Sequence, residues 1–71
     1  MYYLIRVNSN LYPTILDSHR HKFELLKNFE EYKLTATRIG AIIIYEDEET
    51  FRLKYQGQDF LFVIIKHENN I

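Results

Sequence analysis

The chain has 71 residues, 46% of them hydrophobic and 15% aromatic, with nine Lys and Arg against ten Asp and Glu for a formal net charge of -1. High hydrophobicity with low net charge excludes a disordered chain, and the length excludes several domains, so residues 1–71 are expected to form one compact domain. With no Cys, disulfides and thiolate zinc sites are excluded as the staples that so small a domain usually needs, since it buries only roughly 60% of its unfolded surface.

Taken in chain order, Tyr2 to Val7 mixes aromatic and β-branched residues and stops at the turn-forming Asn8-Ser9-Asn10, which predicts a first strand. Leu11 to Leu16 can return as a second strand, but Pro13 has no N–H and confines it to a sheet edge or an extended connector. Asp17 and Ser18 are good N-caps, and Leu25, Leu26, Phe29 and Tyr32 recur at helical spacing, which predicts a helix from about Ser18. Arg20 with Glu24, and Lys27 with Glu31, form i,i+4 pairs on its other side. Lys22 and Lys33 fall within the apolar stripe and are expected to lay their stems along the core. Thr35 to Gly40 reads as β-prone but interrupted.

Ala41 to Glu46 is a predicted strand, followed by a hairpin turn at Glu46-Asp47-Glu48-Glu49. Phe51, Leu53 and Tyr55 then alternate with Thr50, Arg52, Lys54 and Gln56 in the period of a half-buried strand. A turn at Gln56 to Asp59 leads into Phe60 to Lys66, a nearly unbroken apolar run that reads as a buried strand, and His67 to Ile71 is expected to fray. The fold class is therefore α+β, in the order β-(β)-α-β-β-β: a small antiparallel sheet of four or five strands with one helix packed on one face. An SH3-like barrel is the other architecture considered, and it would have to admit the helix as an insertion.

One helix covers one sheet face, yet the strands Ala41 to Glu46 and Phe60 to Lys66 carry apolar residues on both. The second face must be closed either by the chain itself, through Tyr12 to Leu16 and Thr35 to Gly40, or by a partner protein or a second copy in a homodimer. The residues expected there are Ile42, Ile44, Arg52, Lys54, Phe60 and Phe62.

Catalytic signals are few: three His, two Ser and no glycine-rich phosphate loop, so no enzyme, cofactor, metal site or small-molecule substrate is expected. His19-Arg20-His21 would align two imidazoles on a strand but diverge on a helix, and solvated first-turn residues are the simpler reading. The near-zero charge argues against a general nucleic-acid binder. Tyr2, Phe51, Tyr55, Phe60 and Phe62 can in principle stack bases, although core packing accounts for them as well.

The run Arg38-Ile39-Gly40-Ala41-Ile42-Ile43-Ile44-Tyr45-Glu46-Asp47-Glu48 is similar, over eleven residues, to the basic-residue, glycine, apolar-strand and acidic-turn segment of RelE-like toxins. That resemblance implies a small RNase. The family's domain is longer and usually basic, with two N-terminal helices that this chain lacks.

The most distinctive polar feature is Glu46-Asp47-Glu48-Glu49, whose carboxylates repel one another unless exposed and screened. As a functional element it would be an acidic knob for a basic groove on a nucleic-acid-binding protein. Composition adds a hint of source. Ile, Asn, Lys, Tyr and Phe, with AT-rich codons, supply 30 residues, and Ala, Gly, Pro and Arg only 9, as in low-GC bacteria, their phages and mobile elements. The start, Met1-Tyr2-Tyr3-Leu4-Ile5-Arg6, reads as no basic leader, its apolar run is too short for a signal peptide, and no stretch approaches membrane-spanning length, so a cytoplasmic protein with no membrane partner is expected. The expectation is a non-enzymatic protein-binding module, an inhibitor or accessory protein of a phage or mobile element, acting for example on a host defence nuclease in the manner of an anti-CRISPR. The alternatives are a nucleic-acid-binding regulator and the RelE-like toxin.

Overall fold

A computed structural model describes residues 1–10 and 12–68. Six elements follow in chain order: β1 (Tyr2–Asn8), β2 (Pro13–His19), α1 (Lys22–Arg38), β3 (Ile42–Glu46), β4 (Thr50–Tyr55) and β5 (Gln58–Lys66). The strands make one antiparallel sheet in the order β2-β1-β5-β4-β3, so β1 and β5 lie side by side near its centre. This is the expected α+β architecture with all five strands present.

Pro13 begins β2 on an outer edge, where its missing N–H costs no ladder bond. A bulge opposite Leu4 and Ile5 admits one extra residue, Leu16, which turns toward the core. The strand also runs further than expected, through His19. Asp17 and Ser18 therefore do not cap the helix. The Asp17 carboxylate accepts from the Ser18 N–H at 2.8 Å and from the Asn28 amide of α1, tying the edge strand to the helix. His21 stands at the N-cap with no side-chain hydrogen bond, and its carbonyl accepts from the Glu24 N–H at 3.2 Å.

The helix also outlasts the expected break at Thr35 and continues to Arg38. Ala36 is buried against the sheet, and Thr37 Oγ1 donates to the Leu34 carbonyl at 2.8 Å, so tertiary packing overrides the β preference of the two threonines. Gly40, with φ +92°, ends the helix. Its N–H bonds the Thr37 carbonyl at 3.2 Å while the Ala41 N–H bonds the Ala36 carbonyl at 2.9 Å, the paired bonds of a Schellman motif.

Thr50 to Tyr55 and the following strand are joined by Gln56-Gly57, both at positive φ (52° and 77°), the two-residue type I′ turn that matches strand twist. Between α1 and the sheet lies the core. Leu4, Leu25, Phe29 and Phe51 are fully buried, with Ala36, Leu53, Phe62 and Ile64 around them. Phe51 stacks on Phe62 at 4.5 Å, and Lys33 lays its stem inward with its ammonium 5.7 Å from the Phe29 ring centre, as its place in the stripe predicts. Tyr32, expected in the stripe, stays exposed at its margin beside Phe62.

Candidate functional site: the open face of the sheet

Antiparallel partners share a face, so the buried residues fix which side of every strand meets the helix. Leu4 opposite Ile64 and Phe51 opposite Phe62 mark the helix side. The other face is then Tyr3, Ile5 and Val7 from β1, and Leu61, Val63 and Ile65 from β5, flanked by Ile15 of β2. Beyond β5 come Arg52 and Lys54 of β4, then Ile42 and Tyr45 of β3.

Among the described residues no element lies over this face. Ile15 is 61% exposed, Ile42 66%, Tyr45 53% and Ile65 41%, while Tyr3, Ile5, Val7, Leu61 and Val63 are half-buried among their strand neighbours. Neither segment expected to wrap over it does so: 13–19 is an edge strand of the sheet itself, and 35–38 belongs to the helix on the opposite side.

The six residues expected on this face are not brought together. Ile42, Arg52 and Lys54 stand on it. Phe60 and Phe62 point to the helix side, where Phe62 is buried, and Ile44 sits in a bulge where β3 and β4 slip register. The residues missed are those of β1 and the odd-numbered set of β5. Both strands are apolar at nearly every position, so period two gives no phase, and only pairing with the clearly alternating β4 assigns it.

Charge on the face is confined to one side. Arg52 Nη2 lies 4.0 Å from Asp59 Oδ1, which has no hydrogen-bond partner in the described structure, while the Asp59 backbone is anchored by Ser9, whose Oγ accepts from its N–H at 3.0 Å. Lys54 stands opposite Asp59 across the ladder. The margin is thus two cations against one carboxylate, beside an uncharged centre.

The acidic turn is largely engaged within the molecule. Glu46 pairs with Lys33 Nζ at 3.1 Å and Glu49 with Lys22. Asp47 organises the turn: its carboxylate accepts from the Glu49 N–H at 2.9 Å and from Tyr45 Oη at 2.9 Å, and that bond pushes the Tyr45 phenol above its ordinary value. Glu48 remains the outward carboxylate. Two lysines of the helix thereby relieve the repulsion that four adjacent acids would otherwise suffer.

His19 ends β2 and His21 caps the helix, with ring centres 6.1 Å apart and His21 stacked at 5.7 Å on Phe23. They are not first-turn helix residues, and among the described residues no third His, Asp or Glu joins them in a group that could hold a metal. No described helix is long and apolar enough to cross a membrane. No family model, curated protein or solved structure matches the chain.

Proposed function

We propose that this chain is a protein-binding module without catalysis of its own, and that the open face of the sheet is its interface. The observation that supports this reading is the contiguous apolar surface of Tyr3, Ile5, Val7, Leu61, Val63 and Ile65, which the described chain leaves uncovered. Such a face resembles half of a sheet-packed core and gains stability when a second apolar layer closes it. Arg52 and Lys54 on one margin fit a partner whose apolar patch is bordered by carboxylates. The inhibitor or accessory role expected from the sequence belongs to this class. Two aromatic residues that a base-stacking platform would need, Phe51 and Phe62, are buried under the helix, which favours a protein partner over RNA.

The test identifies the partner by affinity capture and then reconstitutes the pair from purified components, with methyl NMR as the readout. The Ile5, Val63 and Ile65 methyls should shift or broaden on addition, and those of Leu25 should not. An Ile5→Glu/Val63→Glu variant should keep its helical and strand circular dichroism and lose binding. A purified partner that shifts only the acidic-turn resonances, or RNA that shifts the face at physiological salt, would overturn the reading. Sedimentation at micromolar concentration separates a second copy of the chain from a different protein.

A further inference from the structure

On the helix side, beside the C-terminal end of α1, a cleft of about 170 Å3 has Arg6, Ile39, Tyr55, Phe60 and Phe62 in its lining. An apolar cavity of about 150 Å3 accommodates a benzene-sized group, so this one has room for a single ring or branched aliphatic group. Its one charged lining residue is Arg6. The guanidinium has no carboxylate within 4.0 Å among the described residues, although Arg6 is only half-exposed.

The helix end does not supply the missing partner. The carbonyls of Thr35, Ala36 and Thr37 already accept from the N–H groups of Ile39, Ala41 and Gly40. They are thus satisfied, which also weakens the negative end that would repel an anion here.

We propose that this cleft binds a monoanionic carboxylate carried next to one apolar or aromatic group, with the ring or branched chain against Phe60, Tyr55 and Ile39 and the carboxylate on the Arg6 fork. One guanidinium matches one planar carboxylate in bidentate fashion, whereas a phosphate site gathers several donors, and the remaining lining is apolar apart from the Tyr55 hydroxyl. Both a free small acid and the C-terminal carboxylate of a peptide ending in a large apolar residue have this chemistry. The site lies on the opposite side of the sheet from the proposed interface and stands or falls separately from it.

The experiment is a two-dimensional NMR titration of the intact chain with 3-phenylpropionate. The amides and side chains of Arg6, Ile39, Tyr55 and Phe60 should move together, with a Kd of about 1 mM, the scale for so few heavy atoms. The amide 3-phenylpropionamide, which needs no protein variant, should bind at least about tenfold more weakly, as should Arg6→Gln to the acid, with Arg6→Lys recovering part of the loss. A tetrapeptide ending in Phe, compared with its C-terminal amide, separates the peptide source from the free acid: preference for the free-carboxylate peptide over 3-phenylpropionate assigns the peptide. Absence of shifts at 10 mM ligand (about tenfold over the expected Kd), equal binding of the amide, shifts confined to the open face, or tighter binding of a nucleoside monophosphate at the same residues would each overturn the proposal.

Discussion

Phe29 of the helix meets Phe51 of β4 edge to face, ring centres 4.9 Å apart at 64°, and neither side chain reaches solvent. This contact joins the two layers at the middle of the core that the described residues form, and Phe51 passes it on to Phe62 by stacking. Removing either ring leaves a void that a two-layer domain has little means to refill. Phe29→Ala or Phe51→Ala should each cost about 3–5 kcal/mol. The whole domain has about 4–11 kcal/mol. Both variants should therefore be largely unfolded at room temperature or unfold at low urea, while Phe29→Leu retains a cooperative transition; urea melts followed by circular dichroism check this.

The two glycines act through backbone conformation alone, because a Cβ at either would meet nothing within 4 Å. Gly40 at φ +92° and Gly57 at φ +77° occupy a region that costs an L-residue about 1–2 kcal/mol. Gly40→Ala and Gly57→Ala should each lower stability by about that amount without altering the spectrum of the native state, and Gly57→Asn should lose less than Gly57→Ala. Denaturant midpoints at unchanged slope provide the measurement.

Lys33 makes stability fall in alkali. Burial of its stem favours the neutral amine, but the Glu46 and Glu30 carboxylates, at 3.1 and 3.2 Å, outweigh it and hold the ammonium above its ordinary 10.5. A group whose value is raised on folding contributes fully below its unfolded value, and that contribution is lost as pH rises through the folded one. Lys66, held up by Glu68, and the Tyr45 phenol act in the same direction. The melting temperature should decline above about pH 10.5, and Lys33→Met should decline less steeply over the same range. Parallel curves for the two proteins would show that the Lys33 pairs contribute nothing.

Besides its ladder with β1, the edge strand is tied to the helix by a side-chain hydrogen bond. Asp17, on the helix side of β2, accepts from the Asn28 amide across the gap between the layers. Asp17→Ala should cost about 1.5–3 kcal/mol, the range for a hydrogen bond to a charged group. The loss should be local: amide exchange should quicken in β2 while β4 and β5 keep their protection.

Much of this fold is legible in the chain because local signals agree with it. The alternation at Thr50 to Tyr55, the apolar run at Phe60 to Lys66, the Pro13 edge and the Leu25/Phe29 stripe all correspond to what forms. Helix ends are not legible. Asp17 and Ser18 carry the chemistry of a cap and are used for a strand-to-helix tether instead, while Thr35 and Thr37 carry strand propensity and are held in the helix by burial of the Ala36 between them. The open face is legible as a surplus of apolar residues but not by membership. In β1 and β5 either phase is apolar, so sequence cannot choose between Phe60 and Leu61 until β4 is laid beside them. The acidic turn shows a related limit: its four carboxylates are evident, but Lys33, 13 residues before its partner Glu46, and Lys22, 27 residues before its partner Glu49, are brought near only by the packing of the helix on the sheet.

The adjacency of β1 and β5 has a kinetic consequence. Tyr2 pairs with Lys66 and Asn8 with Phe60, so this ladder joins β1 to a strand made long after it. Until β5 leaves the ribosome, β1 has only the edge strand β2 beside it, and Leu4 lacks its Ile64 neighbour. Closing a loop of this length before any central contact forms makes for high contact order and slow, late, all-at-once folding. The same geometry sets the Met1 N–H3 group 3.4 Å from the His67 carbonyl, so a short linker across that gap, with a new opening in the Gln56-Gly57 turn, would turn the slowest pairing of the sheet into a local hairpin and speed its formation.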